Sequence, residues 1–198
     1  MDILKTLTII LIIFTYSINI TNAQNNILPK NTIKECIIIN IDDGDTFDLL
    51  CKNKEYFYNV RTLGVNAPDF GNNIDKNYKH CYYDEAKKII SSIKEKKIIL
   101  IVEFYGSDLC KDKDKGCRNL IRIIDKNTGL DINELLIRKG YNFSWTQFSM
   151  IPKKLKAKYF IAEKRAEAEK IGLWGKCEIV YNKGYNYLDS SKPNKMTN

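Results

Sequence analysis

Residues 36–51 read CIIINIDDGDTFDLLC, and this stretch predicts the first two strands of the fold. A β-branched run and an apolar run flank Asp43-Gly44, a dipeptide typical of two-residue hairpin turns. Cys36 and Cys51 lie symmetrically about that dipeptide, so the two cysteines should face each other across the ladder. Residues 56–65 are rich in aromatic and β-branched side chains and predict a third strand. The three runs together favour a strand meander.

The rest of the chain predicts two more strands and three helices. Apolar residues recur at helical spacing after Asp84, and Pro152 is typical of the first turn of a helix. The further elements are a helix over about 84–93, strands over 98–104 and 118–124, and helices over 132–139 and 152–170. Five strands with one helix between the third and the fourth fit a small closed barrel of the OB type. The sequence therefore predicts an α+β fold, a five-stranded OB-fold barrel with three α-helices.

The two ends of the chain differ in composition from the middle. Residues 1–23 predict a secretory signal peptide, because Lys5 precedes the apolar run 7–14 and Ala23 is a small residue suited to cleavage. The apolar run is shorter than the roughly 20 residues that cross a bilayer, and an uncleaved N-terminal anchor is the alternative. The expected organisation is a linker over 24–34, one folded domain over 35–180 and a flexible tail over 181–198.

Six cysteines lie beyond the predicted signal, and an even number in an exported chain indicates disulfide bonds. Sequence alone leaves the connectivity open, and free or partly paired thiols are the alternative. No C-x-x-C pair occurs and His80 is the only histidine, so a zinc site is disfavoured. The hairpin and a short loop closure favour the pairs Cys36–Cys51, Cys110–Cys117 and Cys81–Cys177.

The composition of the 198-residue chain excludes several kinds of chemistry. One histidine rules out a multi-histidine metal centre and allows a Ser-His or Cys-His nucleophile only around that residue. No glycine-rich phosphate loop of standard spacing is present. Carboxylates and arginines remain as the groups that can carry chemistry. The formal net charge of +8 favours attraction to a polyanion such as a nucleic acid.

Three separated segments place polar groups in unusual contexts: DDGDT at 42–46, RTLGVNAPD at 61–69 and CRNL at 117–120. Each alone has an ordinary explanation as a turn, an exposed strand residue or a loop corner. Clustered acidic oxygens without histidine suit a hard cation such as calcium or magnesium. The planar fork of arginine suits bidentate recognition of phosphate. Together with the basic composition, the three segments favour phosphodiester chemistry.

Five motifs, taken in chain order, resemble the staphylococcal nuclease (thermonuclease) family. Each motif is weak alone, but five in register from about Cys36 to Trp174 are highly specific. The resemblance implies a five-stranded OB barrel with three helices, and a thermonuclease-like domain over 35–180. The motifs are DGDT at 43–46, VRTLGVNAP at 60–68, CRNLI at 117–121, INELLIRKG at 132–140 and AEKIGLW at 168–174.

The resemblance implies functional roles for individual residues. Arg61 and Arg118 match the two arginines that grip the scissile phosphate. Asp69 stands where the family has the glutamate thought to act as general base, and Asn66 stands where it has a ligand aspartate. The implied calcium ligands are Asp45, Asn66 and the backbone carbonyl of Ala67, with Asp43 matching an acidic residue that assists the metal site indirectly.

The function implied by the resemblance is that of a secreted, calcium-dependent nuclease that cuts DNA and RNA with low sequence specificity. Single-stranded or unpaired substrates, a monomeric state and no stable membrane association after signal cleavage are expected. Asn66 and Asp69 favour an alternative, a catalytically weakened module that binds nucleic acid or protein. A disulfide-stapled structural domain is a third interpretation. Tyr141 and Trp145 are candidates to stack bases, with packing beneath the last helix as the alternative.

Overall fold

The computed structural model describes residues 27–70, 79–107, 117–147, 149–182 and 184–188. Its strands are β1 (Thr32–Ile41), β2 (Thr46–Cys51), β3 (Glu55–Thr62), β4 (Val65–Asn66), β5 (Leu100–Ser107), β6 (Asn119–Asp125), β7 (Phe143–Ser144), β8 (Ile179–Asn182) and β9 (Tyr185–Leu188). Its helices are α1 (Tyr83–Glu95), α2 (Ile132–Arg138), α3 (Lys153–Ala168) and the single turn α4 (Leu173–Lys176). The three longer helices are the predicted ones.

Five strands form a closed barrel in the order β1-β2-β3-β6-β5, and β1 pairs with β5 to close it. All pairs are antiparallel except β3 and β6, which run parallel. The short strands β4 and β7 pair with each other beside the barrel, and β8 and β9 form a hairpin. This architecture confirms the predicted α+β class and the five-stranded OB-fold barrel.

Alternating side chains fill the barrel, because successive residues of a strand point to opposite faces. On β5, Leu100, Val102 and Phe104 are fully buried, whereas the residues between them are partly exposed. The Phe104 ring packs against Phe57 of β3 at a centroid distance of 5.1 Å. Helix α1 adds a buried face that includes Ile90 to the same core.

Two disulfide bonds confirm two of the expected pairings. Cys36 and Cys51 are register partners on β1 and β2 and are bonded, as the position of the hairpin turn predicted. Cys81 is bonded to Cys177 across 96 residues of sequence and joins the start of α1 to the end of α4. Cys117 is also disulfide-bonded. The remaining predicted pairing, Cys110–Cys117, includes a residue outside the described ranges.

The strand predicted over 56–65 is interrupted in the structure. β3 ends at Thr62, and a turn at Leu63-Gly64 separates it from β4. Gly64 has a φ of +74°, and a Cβ at this position would lie 2.8 Å from the Tyr159 ring. Glycine suits this position because it adopts a positive φ readily and leaves room for the Tyr159 ring.

Both predicted ends of the domain are displaced. β1 begins at Thr32, so the predicted linker over 24–34 is wrong for its last three residues, which pair with β5. The predicted flexible tail over 181–198 is wrong over Tyr185–Leu188, which form β9. The buried side chain of Leu188 packs with the Cys81–Cys177 disulfide, which gives this hairpin its own small core.

Within the described part of the chain, no helix is both long enough and apolar enough to cross a membrane. The predicted signal peptide over 1–23 lies outside the described residues.

Candidate active site

The acidic turn between β1 and β2 is tightly built. The Asp43 carboxylate accepts hydrogen bonds from the backbone N–H groups of Asp45 (2.9 Å) and Thr46 (2.7 Å), which is typical of an Asx turn. Gly44 lies so close to α1 that a Cβ there would come within 2.9 Å of the Ala86 Cβ. Any larger residue at Gly44 would push the turn away from α1, so the DGDT motif fixes how Asp45 sits against that helix.

Asp45 and Arg61 form the centre of the site. Asp45 is only 1% exposed, and its carboxylate forms an ion pair with the Arg61 guanidinium, whose side chain is 11% exposed. The second carboxylate oxygen accepts a hydrogen bond from the backbone N–H of Ala67 at 2.5 Å. The other terminal nitrogen of Arg61 donates to the Asn66 side-chain oxygen at 2.8 Å and to the Val65 carbonyl at 3.2 Å. Arg61 thus bridges two residues predicted to bind a cation.

The pairing of Arg61 with Asp45 follows from strand register. Thr46 of β2 lies opposite Arg61 of β3, so Asp45 comes directly alongside the guanidinium. The sequence predicted Arg61 as a phosphate ligand and Asp45 as a cation ligand, without contact between them. Both residues converge on the predicted site, and the structure adds their direct ion pair.

The carboxylates of the site influence one another. Partial burial and the negative charge of Asp45 raise the pKa of Asp43, while Arg61 opposes this shift. The surrounding protein and the charge of Asp45 also raise the pKa of Asp69, although the Asp69 side chain is 60% exposed. A cation in addition to Arg61 would therefore be electrostatically favourable near the carboxylates of Asp43, Asp45 and Asp69.

Asp69 is held through its backbone. Its N–H donates to Nδ1 of His80 at 2.9 Å, and its carbonyl accepts a hydrogen bond from the His80 N–H at 3.0 Å. The Asp69 carboxylate lies 4.0 Å from the same imidazole nitrogen and faces solvent. The contact between His80 and Asp69 was not predicted, because no local pattern links two residues 11 positions apart.

Arg118 lies next to the strand that pairs with β3. It directly precedes β6, and Leu120 of β6 is the register partner of Arg61 in the parallel pair. The Arg118 side chain is half-buried. The backbone thus brings both predicted phosphate-binding arginines to adjacent strands of the barrel.

The two predicted stacking residues have aromatic neighbours inside the protein. Tyr141 is half-buried, packs on the main core and lies 6.0 Å from the Tyr82 ring. Trp145 is half-buried against Tyr185 of β9, at a centroid distance of 4.7 Å. These contacts favour the packing alternative, and base stacking by either ring stays a prediction.

The predicted calcium donors are all oxygen atoms, which is the donor type that calcium prefers. The side-chain oxygens of Asp45 and Asn66 are close enough to share one guanidinium, so one cation could contact both. Among the described residues, no three His, Cys, Asp or Glu side chains are grouped so as to hold a metal ion. The residues fit calcium only if the Asn66 amide, the Ala67 carbonyl and water complete the coordination.

A buried carboxyl group supports the strand that carries Asn66. Asn66 of β4 pairs with Phe143 of β7, and the next residue, Ser144, donates its N–H to Glu163 of α3 at 2.8 Å. Glu163 is 5% exposed, and burial raises its pKa, while the hydrogen bonds from Ser144 and Asn186 oppose the shift. The folded protein therefore binds the Glu163 proton more tightly than the unfolded chain does.

Glu163→Gln is expected to raise the free energy of unfolding, relative to the wild type, by more at neutral pH than at acidic pH. A carboxyl group with a raised pKa makes the folded state less stable as pH rises above its ordinary value of 4.5. The amide keeps an acceptor for Ser144 and cannot ionise. Urea unfolding of wild type and variant at pH 4 and pH 8 measures the difference. Glu169→Gln, at an exposed carboxylate of the same helix end, is the control, and an equal pH dependence for both variants would contradict the burial argument.

The fold and the acidic site together define an OB-fold protein of the staphylococcal nuclease type. A model of the staphylococcal nuclease homologue family matches residues 59–176, more than half of the chain, and the chain belongs to this family. A comparison with curated proteins found no match. The matched range contains Arg61, Asn66, Asp69 and Arg118, but it begins after the acidic turn. The position of Asp45 is therefore supported by the structure rather than by the family match.

Proposed function

We propose that this protein is a secreted, calcium-dependent nuclease that hydrolyses phosphodiester bonds of DNA and RNA with low sequence specificity. The observation that carries the proposal is the Arg61 guanidinium placed between Asp45 and Asn66, with Asp69 three residues beyond Asn66 on the same segment. This arrangement supports a site in which Asp45 and Asn66 serve as cation ligands, Arg61 as a phosphate ligand and Asp69 as a base. The family membership supports a hydrolase of the nuclease type.

Calcium held by Asp45, Asn66 and the Ala67 carbonyl would neutralise charge and polarise a non-bridging phosphate oxygen. In its absence Arg61 compensates the buried Asp45 carboxylate. If calcium balanced the charge of Asp45, the guanidinium of Arg61 would be able to donate to a phosphate oxygen. Arg118, on the adjacent strand, supplies the second donor. Preorganised donors of this kind each contribute roughly 3–4 kcal/mol where charge builds up in a transition state.

Asp69 is the proposed general base. Its exposed carboxylate is accessible to water, as a general base must be. Aspartate is one methylene shorter than the glutamate that the family places here, so the position of its backbone decides whether it reaches the attacking water. A carboxylate base contributes about 10²–10⁴-fold to rate.

The net charge and the disulfide bonds support the remaining parts of the proposal. A charge of +8 attracts the nucleic-acid backbone irrespective of sequence, which agrees with low specificity. The two described disulfides are typical of an oxidising compartment, as expected for a chain with the predicted signal peptide. We propose that the mature protein acts as a secreted monomer.

Cleavage of labelled single-stranded DNA and RNA by the purified mature chain tests the function. Cutting in calcium that stops with a chelator and returns when calcium is restored is the expected result. Shifted but intact nucleic acid in a gel would favour the alternative, a binding module weakened by Asn66 and Asp69. Failure both to cut and to bind would contradict both functions.

Asn66→Asp is expected to increase calcium affinity about tenfold, since affinity rises with the number of charged ligands at a site. The change places a second carboxylate next to the guanidinium of Arg61. Calorimetric titration with calcium, in the presence of a nucleotide analogue, measures the dissociation constant. Asn127→Asp adds the same charge at an exposed turn after β6 and is the matched control. Equal affinities in the two variants would remove Asn66 from the ligand set.

A further inference from the structure

His80 forms a two-way contact with Asp69. The imidazole Nδ1 accepts the Asp69 N–H at 2.9 Å, and the His80 N–H donates to the Asp69 carbonyl at 3.0 Å. Both backbone polar groups of Asp69 are thus bound by one residue, which is itself only 7% exposed. Because Nδ1 acts as an acceptor, the imidazole has a lone pair on this nitrogen.

The position of His80 is fixed by its neighbours. Its carbonyl accepts a hydrogen bond from the N–H of Tyr83 at 3.2 Å, at the start of α1. The next residue, Cys81, is bonded to Cys177, and the preceding residue, Lys79, forms a β-bridge with Phe70. His80 therefore belongs to a segment anchored on both sides.

The same helix positions the other half of the site. Gly44, in the acidic turn, packs against Ala86 of α1, and that turn places Asp45. His80 lies at the start of α1 and holds Asp69. The helix start and the contact at Ala86 together set the separation between the buried cation ligand and the exposed carboxylate.

We propose that His80 is a positioning residue for Asp69, holding the backbone so that the carboxylate reaches the attacking water. This inference rests on the proposed nuclease function, in which Asp69 is the base. A base acts only within about 2.6–3.2 Å of the proton that it removes, and a displacement of 1 Å can cost about 10²-fold in rate. The position of a short, exposed carboxylate depends more on its backbone than does the position of a carboxylate held by hydrogen bonds to its own oxygens.

Two substitutions separate the hydrogen bond from packing. Asn places its side-chain oxygen at the same distance along the side chain as Nδ1 of histidine and can accept the Asp69 N–H. Leu fills similar space and cannot accept a hydrogen bond. We expect His80→Leu to lower kcat about 10–100-fold with KM for an oligonucleotide nearly unchanged, and His80→Asn to keep kcat within about threefold. Equal loss of kcat in both variants would overturn the proposal.

A double-substitution cycle tests whether His80 acts through Asp69. In an Asp69→Ala background, His80→Leu should lower kcat no further, because the group that it positions is gone. Additive losses would overturn the proposal, since they would mean that His80 affects catalysis by another route.

Amide hydrogen exchange provides a readout that does not depend on activity. The Asp69 N–H should be protected in the wild type and in His80→Asn, and should exchange faster in His80→Leu. Rapid exchange of this amide in the folded wild type would overturn the proposal even if the Leu variant fails to fold. A wild-type chain that protects the Asp69 amide but cuts no substrate would contradict the nuclease function. The contact would then be structural only, and the proposed positioning role in catalysis would be overturned.

Discussion

Arg61→Ala is expected to lower kcat by about 10²–10³-fold, because in the proposed nuclease function it removes a preorganised donor to the scissile phosphate. The same change leaves the buried Asp45 carboxylate without its cation, and breaking a buried ion pair costs about 3–5 kcal/mol of folding free energy. The two effects have different dependence on calcium. Calcium can compensate Asp45 in the variant, but it does not replace a guanidinium on the phosphate.

The measurement therefore has two parts. Initial cleavage rates on a defined oligonucleotide give the loss of kcat, and urea unfolding with calcium or with a chelator gives the loss of stability. Arg138→Ala is the matched control, since this arginine forms its ion pair with Glu169 on the surface. Wild-type activity in the Arg61 variant would exclude this residue from catalysis. An unfolding free energy that calcium does not restore would place the cation away from Asp45.

Replacement of Cys81 and Cys177 by alanine is expected to reduce the free energy of unfolding by about 2–5 kcal/mol. This disulfide spans 96 residues and joins α1 to α4, so its loss frees a long segment of the unfolded chain. The Cys36–Cys51 disulfide spans only 15 residues within one hairpin. Its double replacement should therefore cost less.

Urea unfolding of the two double variants checks this order, with the wild type as the reference. Far-UV circular dichroism under native conditions confirms that both variants are folded. A larger loss for the Cys36 and Cys51 variant would contradict the loop-length argument and would indicate that the hairpin core, rather than the long connection, determines stability.

Local patterns predicted most of the barrel. The Asp43-Gly44 dipeptide predicted the hairpin, but the loop between β1 and β2 spans four residues, 42–45. A bulge between Ile38 and Asn40 shifts the register by one residue, and this shift brings Cys36 opposite Cys51. The helices follow from apolar spacing and from capping residues such as Asp131, whose carboxylate accepts the Glu134 N–H. In each of these features the interacting residues are close together in the sequence, so a local pattern is enough to predict them.

The features that sequence reasoning missed depend on distant residues. The turn at Gly64 packs against Tyr159, nearly a hundred positions later, and leaves no room for a larger residue. The hairpin of β8 and β9 reads IVYN and YNYL, an apolar and aromatic pattern that the predicted polar tail overlooked, and it packs around Cys177. The structure brings Asp45, Arg61 and Asn66 together, but the Arg61–Asp45 ion pair depends on register between strands, and the His80–Asp69 contact joins positions 11 residues apart.

The location of Cys177 near the end of the chain sets an order for maturation. Cys36 can oxidise with Cys51 as soon as the first hairpin has emerged, whereas Cys81 has to wait for 96 further residues. During that interval its thiol is available for wrong pairing with cysteines that arrive earlier. A chain truncated before Cys177 would leave Cys81 without the partner that it has in the folded protein.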